Sequence, residues 1–251
     1  MTLESVMDAK SLVFVLGSLL SVAAVVSFKP SECRLVAEAA LPVGLMGFLI
    51  GVISMLGAES NPSQIAPAVA VAILTLVYAG MVRLLFMDSL NQDLLEERSL
   101  VSKVVGTGGV IIVMIWAMTS VSPDGLAMFW YPQVAMVMTG VALLIFLIGR
   151  LFDEGYATDW AKKILGLGWL GFSMGIVAAL SQLSTPTALG SALALSFLSL
   201  LYSTVAVILG LIWIPQAMTS EKGSLSLGLD QILPIAVAVL AVLVGLTVSL
   251  Q

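Results

Sequence analysis

The sequence predicts an all-α integral membrane protein: eight transmembrane helices, arranged as two parallel four-helix repeats over residues 1–124 and 125–251. Three observations lead there. Hydrophobic types make up 60% of the 251 residues and charged types only 10%, against about 45–50% and about 25% in an ordinary soluble domain. The 10 Lys+Arg and 15 Asp+Glu are too few to cover a water-facing surface of this size, so most of it must face lipid. The chain also divides into charge-poor runs of spanning length, and one half resembles the other at a fixed offset. The net charge of -5 offers no basic patch for nucleic acid. With no His and a single Cys, Cys33, imidazole–thiolate metal sites, Cys/His dyads, Ser–His triads and disulfides within the chain are excluded. No cofactor, metal site or enzymatic activity is expected, because no nucleophile–base pair is present.

A span needs about 20 mostly apolar residues. The runs that meet this, bounded by charge, Pro or Gly, are 11–28, 41–57, 65–86, 104–121, 129–149, 164–183, 188–214 and 232–250. The first is not read as a secretory signal, because Glu4 and Asp8 offset Lys10 and no positive leading region precedes it. No ionisable side chain falls well inside a run; Arg83, Asp88 and Asp230 come closest, near span ends. An autonomous pump or coupled transporter carries such a group within the membrane, so a chain of this kind that moves ions borrows the titrating residue from a partner.

The cations set the orientation, since Lys and Arg are retained on the cytoplasmic side. Lys29 and Arg34 follow the first run; Arg83, Arg98 and Lys103 lie at or after the third; Arg150, Lys162 and Lys163 separate the fifth and sixth; Lys222 follows the seventh. Segments 58–64, 122–128 and 184–187 contain none. Those segments are expected outside, together with both termini, and Lys10 alone breaks the pattern.

An offset of 124 residues brings Gly47 onto Gly171, Phe48 onto Phe172, Gly51 onto Gly175 and Leu56 onto Leu180 without a gap. The match continues through Ser60 and Ser184, Pro62 and Pro186, Ala68 and Ala192, Leu74 and Leu198, to Tyr78 and Tyr202. Paired Gly, Pro and Tyr in one frame exceed what two Leu/Ala-rich spans share by composition, so the chain reads as an internal duplication. Four spans per half give both halves the same orientation, hence parallel repeats.

Several paired positions are candidates for function. Gly44, Gly47 and Gly51, with Gly168, Gly171 and Gly175, form strips of small residues that let helix backbones approach closely in lipid. They serve either packing between spans of one half or docking of a partner helix. Pro62 and Pro186 fall in short outside turns, where Pro starts the next helix without losing a needed N–H. Glu59 is the acid of the first turn, either attracting ions or simply solvated. Thr75 and Ser199 lie midway along the third and seventh spans, with Tyr78 and Tyr202 three residues further on nearly the same face. Their hydroxyls either line an ion path or bond back to a helix carbonyl.

The stretch from Gly44 through Gly47 and Gly51 to Leu56, the polar turn, and the segment from Ile65 and Pro67 through Thr75 to Tyr78 and Gly80 resemble the core signature of the MotA/TolQ/ExbB proton-channel family. They are most similar to the last two membrane helices of flagellar stator A-subunits. The second half repeats the pattern more loosely, from Gly168 to Tyr202. The resemblance implies a bacterial inner-membrane complex in which several copies surround the single span of a MotB/ExbD/TolR-like partner. The partner's Asp then takes and releases a proton or Na+, and hydroxyls at Thr75 and Ser199 help line the route. It also implies a homo-oligomer. Two modules per chain fit either three chains in a pseudo-sixfold ring or five chains that each place one half in the inner wall. The chain departs from the family in carrying Phe48 and Phe172 where members often have Thr, and in the short cytoplasmic segment 29–40. The phenylalanines favour the alternative of a non-conducting scaffold or collar; a small-solute transporter is a further alternative.

Overall fold

The computed structural model describes residues 8–26, 33–57, 65–87, 99–121, 125–152, 156–181 and 186–213. Within them the protein is entirely helical. The helices are α1 (Ala9–Val25), α2 (Arg34–Gly57), α3 (Ile65–Leu85), α4 (Leu100–Val121), α5 (Pro132–Phe152), α6 (Tyr156–Leu180) and α7 (Pro186–Trp213), with a 3-10 turn at Gly125–Phe129. Four of them are long and apolar enough to cross a bilayer, over Arg34–Leu56, Leu100–Val121, Trp160–Leu180 and Ala192–Trp213. The apolar stretches Ala9–Val25, Val69–Leu85 and Pro132–Leu144 are shorter. Each of the first seven expected runs carries a helix, and the eighth, 232–250, lies outside the described residues, as do Glu59 and Pro62.

The helix starts follow local chemistry. Asp8 caps α1, its carboxylate accepting from the Ser11 amide at 2.8 Å. Pro186 is the first residue of α7, where its missing N–H costs nothing. Gly125 opens the 3-10 turn at φ +60°, a left-handed conformation that glycine adopts without a Cβ clash.

Two boundaries correct the sequence expectation. The helix α6 begins at Tyr156 rather than 164, so Lys162 and Lys163 lie within it instead of before it. The helix α2 begins at Arg34 rather than 41, so 34–40 is part of the span-length helix instead of a connector ahead of it. Within it Glu38 is 1% exposed and pairs with Arg34 one turn earlier, Nε to Oε1 at 2.9 Å. An ionisable residue is therefore buried in a membrane-compatible helix, contrary to expectation, because its i,i+4 neighbour neutralises it.

The two central helices are α2 and α7, buried over 78% and 72% of their spanning windows against 22% for α4 and 28% for α6. The helix α2 packs on α3 and on α7; α6 packs on α7; and α1 packs on α4. Glycines allow the last approach: a Cβ on Gly109 would lie 2.5 Å from Ser21 Oγ, and one on Gly106 would lie 2.9 Å from the Ser21 carbonyl oxygen. Peripheral faces carry exposed apolar side chains such as Met136 and Leu144 on α5 and Ile112 on α4, the pattern of a lipid-facing surface.

Candidate functional site

The expected site residues meet in two helix hairpins, α2–α3 and α6–α7. In the first, Thr75 is buried and its Oγ1 lies 2.7 Å from the Ala72 carbonyl and 3.1 Å from the Gly44 carbonyl of the facing helix, sharing its proton between them. In the second, Ser199 Oγ lies 2.7 Å from the Ser196 carbonyl and 3.2 Å from the Gly168 carbonyl. The local bond is the usual back-bond of a membrane hydroxyl. The second bond joins the two helices.

The glycine strips are taken up by these same contacts. A Cβ on Gly44 would lie 2.5 Å from Ala79 Cβ, and one on Gly51 would lie 2.9 Å from Ala72 Cβ. On the other hairpin, a Cβ on Gly168 would lie 2.6 Å from Ser203 Cβ, one on Gly171 2.8 Å from Ser199 Cβ, and one on Gly175 2.7 Å from Ser196 Cβ. Of the two uses foreseen for the strips, the structure shows packing within the chain, of α2 on α3 and of α6 on α7, while Gly47 and Gly51 also line a cleft described below. Phe48 and Phe172 are buried as well, the latter 5.1 Å from the Phe197 ring.

The tyrosines diverge. Tyr78 is half-buried against the core. Tyr202 donates from Oη to the Phe129 carbonyl at 2.6 Å and accepts from the Tyr131 amide at 3.2 Å, fastening the α4–α5 connection to α7. Tyr202→Phe is expected to lower stability by about 1–3 kcal/mol, since a backbone donor and acceptor lose their partner. Thermal unfolding in detergent, with faster amide exchange at Tyr131, would measure it; unchanged exchange there would contradict the fastening role.

A cleft of about 400 Å³ opens among α1, α2, α3 and α4, and Thr75, Gly47 and Gly51 line its inner part. Asp8 and Lys10 stand at one end of it, near Ser120 at the end of α4. Ser11 Oγ donates to Asp8 Oδ2 at 2.6 Å, with the Val71 carbonyl 3.3 Å from the same hydroxyl, and Lys10 Nζ reaches the Ser120 carbonyl at 3.5 Å. Toward the interior, Phe14 closes over Gly47, where a Cβ would lie 2.6 Å from Phe14 Cε1 and 3.1 Å from Thr75 Cβ. The cleft thus brings a carboxylate, an ammonium group and hydroxyls into a lining that is otherwise mostly apolar.

Sequence reasoning named Thr75 but not Asp8 or Ser11 as its neighbours. The signal was there in part: Asp three residues before Ser at the head of an apolar run is an N-cap pattern. That α3 and α4 come to that cap is a tertiary fact without a local signature.

These features define a helical membrane protein with paired, hydroxyl-linked hairpins. No family model, curated protein or solved structure matches the chain.

Proposed function

We propose that the protein is the channel-side subunit of an ion-motive-force-linked complex of the bacterial inner membrane. In this reading it is built as eight spans in two parallel MotA/TolQ/ExbB-like repeats with both termini periplasmic. Copies of it surround the single helix of a MotB/ExbD/TolR-like partner, whose Asp takes and releases a proton or Na+. Its role is conductive and mechanical rather than enzymatic.

The observation that carries the reading is the matched interlock of the hairpins. Thr75 to Gly44 and Ser199 to Gly168 are the same hydroxyl-to-carbonyl bond at the same separation of 31 residues, and each residue pairs with its counterpart at the 124-residue offset. The cleft from Asp8 to Thr75 supports entry from the side that the cations mark as outside.

A second reading, a non-conducting collar for partner helices, is favoured by the engagement of both hydroxyl protons with backbone carbonyls and by the buried Phe48 and Phe172. Purification of the full chain from native membranes, followed by flux measurement in proteoliposomes under a proton or Na+ gradient, separates the two. The channel reading expects a co-purifying single-span protein with a membrane carboxylate, and flux that falls at least tenfold in Thr75→Val but not in Thr75→Ser, as losing a hydroxyl ligand worth about 1.4 kcal/mol or more requires. Flux indifferent to Thr75→Val, with the partner still bound, leaves the collar.

A further inference from the structure

Between α5 and the α6–α7 hairpin lies a cavity of about 460 Å³, within the roughly 300–1,000 Å³ usual for small-molecule sites. Its walls are mostly apolar, among them Ala142 and Leu143 of α5, Ile164 of α6, and Ala206 and Leu209 of α7. Two of its hydroxyls are already committed: Tyr202 donates to the Phe129 carbonyl, and Ser203 to the Leu200 carbonyl at 2.8 Å. Trp160 also lines the cavity, at the point where the membrane-compatible stretch of α6 begins. Its indole is 8% exposed, and Nε1 is buried with no hydrogen-bond partner among the described residues. The benzo edge of the ring, from Cε3 to Cη2, lies against Gly210, where there is no room for a Cβ. The opposite edge, which carries Nε1, is thereby turned away from Gly210. A buried donor in this state lowers stability until an acceptor is brought to it.

We propose that this cavity is a binding site for a glycerophospholipid of the leaflet at the Trp160 end of α6. One acyl chain lies between α5 and the hairpin, its ester carbonyl accepts from Trp160 Nε1, and the phosphate meets the ammonium groups of Lys162 and Lys163. Apolar walls call for hydrocarbon, and the orphaned donor calls for an acceptor at the end of it. The depth agrees, because Trp side chains collect at the membrane–water interface, where acyl chains give way to headgroups. Both lysines are exposed in the turn that Trp160 begins. Helical side chains lean toward the helix N-terminus, which carries these two to headgroup level, where phosphate is their natural counter-ion. Other occupants fit less well. An enclosed water needs roughly 2–4 polar partners, and neither Ile164, one turn beyond Trp160, nor Leu209, beside Gly210, offers one. From Trp160 to Leu167 the wall rises about 10 Å, and a helix of that length, about 10–12 Å across, needs about 800–1,100 Å³. That is roughly twice the space present, so the run 232–250 is too thick to fill it as a helix. The site is independent of whether the protein conducts ions.

Ester-linked phosphatidylglycerol and its diether analogue share chains and headgroup and differ in the carbonyl, so comparing them tests the assignment. The delipidated full chain in detergent is titrated with each lipid, and bound lipid is counted by native mass spectrometry. The wild type is expected to bind the ester lipid roughly 2–12-fold more tightly than the diether, the net worth of one hydrogen bond. Trp160→Phe, which keeps an aromatic ring and removes the donor, is expected to retain native helicity and bind the two lipids equally. Lys162→Ala/Lys163→Ala is expected to weaken both lipids alike, and Ala206→Trp, which fills the cavity, to lose both. No preference for the ester in the wild type overturns the proposal, and that comparison needs no variant to fold. An ester preference that survives in Trp160→Phe, or tighter binding of oleate than of either phospholipid, also overturns it. So does a disulfide between Leu143→Cys and Val242→Cys in a Cys33→Ser background, which would put the chain's own run 232–250 at the cavity.

Discussion

Gly44→Leu is expected to separate α2 from α3 and destabilise the protein by about 3 kcal/mol or more, the upper range for overpacking a filled contact. The first added atom alone would sit 2.5 Å from Ala79 Cβ and 3.1 Å from the Thr75 carbonyl oxygen, which is backbone and cannot rotate away. Relieving the overlap moves α3 outward and breaks the Thr75 bond to the Gly44 carbonyl, adding about 0.5–1.5 kcal/mol. Gly44→Ala should cost less, and Gly80→Leu should be nearly silent because the space beside Gly80 is open. Thermal unfolding of the detergent-solubilised chain, followed by helicity, would rank the three. A Gly44→Leu protein as stable as Gly80→Leu would mean that the hairpin is not packed as described.

The second large effect is expected at the buried ion pair. Arg34→Leu leaves the Glu38 carboxylate, 1% exposed, without its guanidinium. Breaking one side of such a pair costs about 3–5 kcal/mol, whereas replacing both partners by apolar groups of similar volume is often neutral or better. The double variant Arg34→Met/Glu38→Leu should therefore recover most of what Arg34→Leu loses, and Glu38→Gln should fall between. The same unfolding assay decides it; a double variant worse than the single would show that Glu38 is held for a reason other than charge balance.

Helix placement was legible because apolar run length is a one-dimensional property: α1, α3, α4, α5 and α7 fall close to the runs that charge, Pro and Gly bound, whereas α6 begins at Tyr156 and takes in Lys162 and Lys163. The hairpin partners were legible for a different reason. Comparing the chain with itself aligned Gly47 with Gly171 and Tyr78 with Tyr202, and the structure has Thr75 and Ser199 crossing to Gly44 and Gly168 in the same way. The start of α2 was not legible, since Arg34 and Glu38 each read as a span-ending charge until their pairing is seen. The use of the glycines was undecided in the sequence, because a close-approach strip looks the same whether its neighbour is α3 or a foreign helix. The cleft was hidden most completely. It needs Asp8, Val71 and Ser120 together, and nothing local to any of them encodes the others.

The central position of α2 also has a consequence for biosynthesis. Its main cover besides α3 is α7, and α2 is complete at Gly57 while α7 begins only at Pro186. At about 5–20 residues per second, the intervening stretch of about 130 residues takes roughly 6–26 s to make. For that interval the growing chain presents to lipid and insertion machinery a helix face whose lasting neighbour has not been translated. A ribosome stalled between these points would therefore leave an incomplete bundle open to membrane proteases, whereas a stall after Trp213 would leave one whose central helices had already met.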